Sequence, residues 1–230
     1  MTLLNTFNIE RDVADQLQLE QDLIVKYKQH RQTSNSLWLW QAKPSLVVSK
    51  LDSNLTNFEK AKLFTESQGM PVDIRQSGGS AVIQNDQVIN ISRIYIQNDP
   101  ISIEQSYLTM CQPVLNVLKA LGIEAYLDSV EGSFCDGAYN IVYQGKKLAG
   151  TSQRWLSLPK SKAKVILEHM VIVLKHDYKS TTKILNDFYR IAGADQYFKD
   201  SVIISLEEIN NKLTTKDFSE RLLTEYALLS

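Results

Sequence analysis

The chain has 230 residues, a hydrophobic content of 43% and a formal net charge of −1, which suits one main domain with a substantial core. Its lysines and arginines are scattered, so no basic footprint indicates a nucleic acid or an anionic membrane as partner. The chain has two cysteines, Cys111 and Cys135, and no basic-then-apolar signal segment opens it, so we expect a cytoplasmic protein without a disulfide framework.

Hydrophobic periodicity predicts the elements of the first half of the chain. Apolar residues at helical spacing predict a helix over about 12–28 and another over 58–68, which Gly69 ends. Leu37–Trp40 and Ser45–Val48 are apolar runs typical of buried strands, with a turn at Lys43-Pro44 between them. Further strands are predicted at 72–75, 81–83 and 88–96.

The second half continues with helix and strand patterns and then becomes helical. Apolar residues at intervals of three or four predict a helix over 103–121. Strands are predicted at 123–127 and 165–174, and a hairpin joins 138–143 to 147–154 around Gln144-Gly145. Short amphipathic segments from Ser180 onward predict a helical C-terminal region. We therefore expect a catalytic domain over 1–178 and a helical extension over 179–230 that packs on it.

A glycine-containing turn follows an arginine in the segment Arg75-Gln76-Ser77-Gly78-Gly79-Ser80-Ala81-Val82. Glycine allows positive φ and close approach of a ligand to the backbone, although an ordinary turn is the commoner use of such a sequence. Arg75 could hold a carboxylate or an acyl carbonyl, and its ordinary alternative is a surface ion pair.

Cys135 and Lys147 are candidates for covalent chemistry. Cys135 lies in a loop between Gly132 and Gly137, where a substrate could reach it and a nearby cation would favour the thiolate. It could equally have no catalytic role. Lys147 follows a hairpin turn, and solvated lysines are common there.

Cys111 and the histidines have simpler interpretations. Cys111 falls on an amphipathic helix, which indicates a small core residue. His30, His169 and His176 are dispersed without metal-ligand spacing, so we expect structural or surface roles for them and no metal site.

Three motifs are informative when they are taken together: Leu37-Trp38-Leu39-Trp40, Arg75–Val82 and Gly132-Ser133-Phe134-Cys135-Asp136-Gly137. They resemble the lipoate–protein ligase and octanoyltransferase superfamily, which is related in fold to biotin protein ligases. The resemblance covers roughly residues 37–174 and also 203–208. It implies an α+β fold with a mixed, largely antiparallel central sheet flanked by helices and a small helical C-terminal subregion. The match is strongest to the cysteine-dependent octanoyl amidotransferases, which move octanoyl groups from the glycine-cleavage H protein to carrier domains of 2-oxoacid dehydrogenases.

The resemblance implies a role for each matching residue. Cys135 would carry the acyl thioester, and Lys147 would contact the acyl carbonyl. The acyl tunnel would be lined by Arg75 and by the turn residues Ser77, Gly78, Gly79, Ser80 and Ala81. Gly150 and the strand 151–154 would form the wall beyond the lysine.

The chain also departs from the ATP-dependent ligases of this superfamily. Those enzymes usually have a third glycine followed by a histidine-aspartate pair, where this chain has Ser80 and then Gln84-Asn85. Their asparagine-aspartate pair at the hairpin start corresponds to Tyr139-Asn140, and no large accessory domain follows about Ser180. These differences favour transfer of an activated or amide-linked acyl group over adenylation.

The leading hypothesis is therefore a cytoplasmic acyltransferase of protein lipoylation that moves an octanoyl or lipoyl group through a cysteine thioester to a carrier lysine. We expect no cofactor, a monomer, and lipoyl-domain carriers or acyl carrier protein as partners. The alternatives are an ATP-dependent lipoate–protein ligase, for which ATP and Mg²⁺ would be needed, and a non-catalytic acyl-carrier-binding module. A diverged, inactive member of the family is a further alternative.

One geometric requirement follows from the hairpin itself. If Gln144-Gly145 is a two-residue turn, Lys147 pairs with Val142. An extended chain from Val142 to Cys135 would then place the cysteine about 20 Å away, at about 3.3 Å per residue. We predict that the loop doubles back and brings the Cys135 sulfur and the Lys147 ammonium to one cavity.

Overall fold

The computed structural model describes residues 2–3, 12–30, 35–175 and 177–228. Within these ranges the α-helices are α1 (Val13–His30), α2 (Phe58–Ser67), α3 (Ile103–Ala120), α4 (Tyr178–Ala192), α5 (Leu206–Ile209) and α6 (Thr215–Ala227). The strands are β1 (Thr2–Leu3), β2 (Ser36–Trp40), β3 (Ser45–Ser49), β4 (Val72–Arg75), β5 (Val82–Gln84), β6 (Val88–Gln97), β7 (Tyr126–Asp128), β8 (Asn140–Tyr143), β9 (Lys146–Ser157) and β10 (Lys164–Val173). None of the helices in these ranges is both long and apolar enough to cross a bilayer.

Seven strands form the larger sheet in the order β1-β2-β6-β10-β9-β8-β7. The short β1 pairs in parallel with β2, and every other neighbouring pair is antiparallel. The centre of the sheet is the long pairing of β10 with β6 and β9. The expected α+β fold, with a largely antiparallel sheet flanked by helices, is thus confirmed.

A second sheet of three strands has the order β4-β3-β5. β3 pairs in parallel with β4 and antiparallel with β5. Parallel neighbours need a crossover connection, and α2 lies in the crossover from β3 to β4. The strands β2 and β3, which are close in sequence, therefore belong to different sheets.

The hairpin between β8 and β9 has the predicted two-residue turn. Gln144 and Gly145 both have positive φ, 50° and 75°, which two-residue turns of the primed type require. Val142 pairs with Lys147 as expected, and the register then shifts between Ile141 and Val142. This hairpin fixes the position of Lys147 relative to the sheet.

The C-terminal helices pack on the rest of the chain. α6 packs on α3, and Phe218 and Leu222 of α6 belong to the core cluster that covers one face of the larger sheet. α4 packs on α2, and the buried Tyr189 hydroxyl links α4 to two distant segments. It accepts a hydrogen bond from the Ala81 amide at 2.6 Å and donates one to Asp52 Oδ1 at 3.0 Å. The predicted domain boundary at residue 178 stays a prediction.

Candidate active site

The loop that carries Cys135 doubles back on itself, as the geometric argument requires. Asp136 Oδ1 accepts hydrogen bonds from the Val130 amide at 2.7 Å and from Asn140 Nδ2 at 2.8 Å, which ties together the two ends of the loop. Cys135 itself has a left-handed backbone with φ of 51°. The residue is partly exposed, and its carbonyl accepts a hydrogen bond from Lys147 of the neighbouring strand β9.

Lys147 lies against this loop from β9. Its side chain is buried, and Nζ donates to the Phe134 carbonyl at 2.5 Å and to the Cys135 carbonyl at 2.8 Å. Burial lowers the pKa of the Lys147 ammonium to about 8. Gly150 makes room for this ammonium, because a Cβ added there would lie 3.0 Å from Nζ. The lysine is therefore a buried group of the site, in contrast to a solvated turn residue.

Arg75 is also buried, so the surface ion pair considered for it is not formed. Its Nη1 donates to the Val47 carbonyl at 3.0 Å, and Nη2 donates to the carbonyls of Gly78 and Ser80, both at 2.8 Å. Nη2 also lies 3.8 Å from Cys135 Sγ. The guanidinium thus holds the glycine turn in shape and faces the sulfur at the same time.

Gly79 is a residue of the turn that packs against the thiol. Its φ is 93°, and a Cβ added there would lie only 2.1 Å from Cys135 Sγ and 3.1 Å from Arg75 Nη2. The absence of a side chain at this position therefore lets the sulfur pack directly against the main chain.

Cys135 opens onto a mainly apolar cavity, in which the empty space, including its open mouth, is about 590 Å³. Arg75 and Gly150 line it with Cys135, and Thr151 and Ser152 of β9 continue the wall past Gly150. The remaining lining residues are Val13, Leu17, Glu20, Trp40, Val47, Val82, Gln84, Asn90, Ile91, Ser92, Phe134, His169, Met170 and Val171.

The other predicted site residues contact this wall and do not line the cavity. Lys147 touches the Cys135 carbonyl and Gly150 but does not line the cavity. The loop therefore doubles back as predicted, but the sulfur and the ammonium do not share one cavity. In the turn, Gly78, Gly79 and Ser80 contact Arg75 or Cys135, Ser77 contacts His169, and Ala81 is held by Tyr189. The structure thus gathers all nine predicted residues around the cavity but gives only three of them a place in its wall.

Sequence reasoning did not identify Glu20 and His169 as part of this cavity. His169 Nε2 lies 2.7 Å from Glu20 Oε1, its Nδ1 lies 2.9 Å from Ser77 Oγ, and the Ser92 hydroxyl donates to Glu20 at 3.1 Å. Glu20 follows Leu17 by three residues on the buried face of α1. The sequence signal that could have identified Glu20 is a carboxylate at a helix position where the hydrophobic periodicity predicts an apolar residue.

Cys111 and His30 lie outside the cavity wall. Cys111 is fully buried in the core, as expected, and burial raises the pKa of its thiol to about 12. His30 is exposed at the end of α1, and His176 lies outside the described residues. Across the described ranges, no group of three or more His, Cys, Asp or Glu side chains could hold a metal ion.

A largely antiparallel sheet flanked by helices thus holds Cys135 and the buried Arg75 at an apolar cavity, with the buried Lys147 against the loop of the cysteine. The chain belongs to the lipoyl protein ligase A/B catalytic domain family, whose model matches residues 12–227.

The chain is similar in sequence to two transferases over about two thirds of its length. It is 39% identical, over 66% of its length, to an octanoyl-GcvH:protein N-octanoyltransferase of Kyrpidia tusciae, and 31% identical, over 68%, to a lipoyl-GcvH:protein N-lipoyltransferase of Listeria monocytogenes. In each case the match covers 54% of the relative, so the chain spans about half the length of these transferases. A crystal structure of lipoate-protein ligase A bound with ATP has the same fold, with a TM-score of 0.74 and 15% identity over 98% of this chain and 85% of that one.

Proposed function

We propose that this protein is an acyltransferase of protein lipoylation, in which Cys135 carries the acyl group as a thioester. The observation that carries the proposal is the position of the Cys135 sulfur, which lines an apolar cavity and lies 3.8 Å from the buried Arg75 guanidinium. An apolar cavity suits a medium-chain acyl group, and a cation beside the sulfur interacts favourably with a thiolate.

In the first step, the sulfur attacks the carbonyl carbon of an acyl group held in amide linkage on a donor lysine. The new bond is C–S, the bond that breaks is the amide C–N, and the proton lost by the thiol ends on the departing lysine amine. In the second step, the amine of an acceptor lysine attacks the thioester, the C–S bond breaks, and a proton returns to the sulfur. Because these two steps balance without nucleotide or metal, we propose that the reaction needs no cofactor.

Lys147 would stabilise the negative charge that develops on the carbonyl oxygen in both steps. An ammonium has three donors, and two of those on Lys147 reach the Phe134 and Cys135 carbonyls. The third would remain for a substrate oxygen that approaches at Gly150, because Lys147 itself lies behind the cavity wall at that residue. A preorganised donor of this kind is worth several kcal/mol of transition-state stabilisation in a site shielded from water.

The names of the relatives suggest the substrates. Both are named as transferases that use an acyl group on GcvH, one octanoyl and one lipoyl. We propose the glycine-cleavage H protein as donor and the lipoyl domains of 2-oxoacid dehydrogenase subunits as acceptors, with acyl carrier protein as an alternative donor. We expect the protein to act as a cytoplasmic monomer.

The test is intact-mass analysis after incubation with octanoylated H protein or octanoylated acyl carrier protein. The wild-type protein should gain one octanoyl group and should lose it when an acceptor lipoyl domain is added. Cys135→Ala should gain none and should transfer none while keeping its fold. Lys147→Ala should form the adduct more slowly, because the oxyanion loses its donor.

Two other results would contradict this proposal. Lipoate-dependent release of pyrophosphate from ATP, undiminished in Cys135→Ala, would indicate a ligase. Tight binding of the carriers with no adduct on Cys135 from either donor would indicate a binding module.

A further inference from the structure

The backbone of Cys135 is held at both ends by hydrogen bonds. Lys147 donates to its carbonyl, and its amide donates to the Ser80 hydroxyl at 2.5 Å. Ser80 also contacts the cation beside the sulfur, because its carbonyl accepts from Arg75 Nη2 at 2.8 Å. Ser80 therefore contacts both the nucleophile and the cation beside it.

The backbone conformation of Cys135 gives this contact its importance. A φ of 51° lies in the left-handed region, which residues with a Cβ rarely adopt because it costs free energy. Such a conformation persists only where surrounding contacts hold it. The acceptor that Ser80 supplies to the amide is one such contact, and the Lys147 ammonium on the carbonyl is another.

The neighbouring serines make different contacts. The Ser77 hydroxyl lies against His169, and the Ser152 hydroxyl donates to the Gly78 carbonyl. Ser80 is thus the member of this group whose side chain meets the Cys135 main chain.

We propose that Ser80 is a positioning residue that sets the conformation of Cys135 and so places its sulfur against Arg75 at the cavity. The role of Ser80 rests on the proposed function of Cys135 as the nucleophile. It differs from the tunnel-lining role that the family resemblance implies, because Ser80 touches the nucleophile and is not part of the cavity wall.

Loss of the hydroxyl should slow the chemistry without weakening substrate binding. In Ser80→Ala the Cys135 amide loses its acceptor, the left-handed backbone relaxes, and the sulfur moves away from the guanidinium. We expect the rate of octanoyl transfer to Cys135 to fall at least about tenfold, because a shift of the reacting atom by a fraction of an ångström suffices for a loss of this size. The KM for the octanoylated carrier should change less than about twofold. Ser80→Thr keeps the hydroxyl and should stay within about threefold of wild type.

A second readout follows the sulfur directly and needs no acyl substrate. The rate at which iodoacetamide alkylates Cys135, measured by peptide mass spectrometry, should fall severalfold in Ser80→Ala and in Ser80→Gly and should recover in Ser80→Thr. Ser67→Ala is the matched control, because that exposed serine hydroxyl bonds only to near neighbours in the chain, donating to the Phe64 carbonyl and accepting from Gln68 Nε2. Thermal unfolding followed by circular dichroism checks that each variant is folded.

The outcomes separate this inference from the proposed function. Wild-type rates of acylation and alkylation in Ser80→Ala would overturn it, and so would an equal loss in Ser80→Ala and Ser80→Thr, because the hydroxyl would then not be the cause. If wild-type protein forms no octanoyl adduct, the proposed function fails. The alkylation series still decides whether Ser80 positions the sulfur.

Discussion

A methyl group at position 79 tests the packing of the thiol against the glycine turn. Gly79 has a φ of 93°, and a Cβ there would lie 2.1 Å from Cys135 Sγ. In Gly79→Ala either the turn must leave its conformation or the sulfur must leave its place beside Arg75. Both changes act on the same few atoms of the site and leave the core of the protein intact.

The expected size of the effect follows from the geometry. An alanine in the left-handed region costs about 1–2 kcal/mol. To reach an ordinary contact of 3.4 Å, the sulfur and the new methyl group must separate by roughly 1.3 Å. A displacement of about 1 Å at a reacting atom costs about a hundredfold in rate. We therefore expect Gly79→Ala to lose about 1–2 kcal/mol of stability but at least a hundredfold in the rate of Cys135 acylation.

The assay is the rate of octanoyl adduct formation by intact mass, with urea unfolding to measure stability. Gly137→Ala is the matched control, since Gly137 lies in the loop of Cys135, has no positive φ, and has nothing within 4 Å of an added Cβ. It should keep most of the wild-type rate.

The opposite result would refute the reasoning. If Gly79→Ala were folded and formed the adduct within threefold of the wild-type rate, the sulfur would not react from its place against the turn. A loss of stability far above 2 kcal/mol would instead mean that the turn matters more for the stability of the fold than for the position of the thiol.

Three further predictions concern buried groups. Burial lowers the pKa of Lys147 from 10.5 to about 8, so between these values the unfolded chain binds more protons, and stability rises with pH. Relative to Lys147→Met, the wild type should gain about 3 kcal/mol from pH 8 to 10.5 in urea unfolding, at about 1.4 kcal/mol per pKa unit. A difference in unfolding free energy between the two proteins that does not change with pH would contradict this prediction. Arg93 lies 3.3 Å from Glu168 in the core, and Arg93→Met should cost about 3–5 kcal/mol at pH 7 because it leaves a buried charge. At pH 5 the variant should recover part of this stability in urea unfolding, because burial raises the pKa of Glu168 and the carboxylate that has lost its partner then takes up a proton. Tyr189→Phe should lower stability by about 1–3 kcal/mol in thermal unfolding, because the buried Ala81 amide loses its acceptor.

Local sequence signals determined most of the secondary structure. The helix α3 and the hairpin around Gln144-Gly145 appear where spacing and turn residues place them. The strand predicted at 123–127 is shorter and shifted, at 126–128, because a short apolar run has ill-defined ends. Local patterns predict such elements well because they depend on neighbours within a few residues.

The sequence by itself also determined the candidate chemistry: a cysteine in a glycine-bounded loop, an arginine before a glycine turn, and a lysine after a hairpin. Only the tertiary structure decided how these groups meet. Ser80 and Cys135 are separated by 55 residues, and His169 and Glu20 by 149, so no local pattern contains either contact. The division of β2 and β3 between two sheets was decided in the same way. Such contacts depend on which strands pair across the whole chain and on which face of a sheet each side chain lies, and these are properties of the assembled fold.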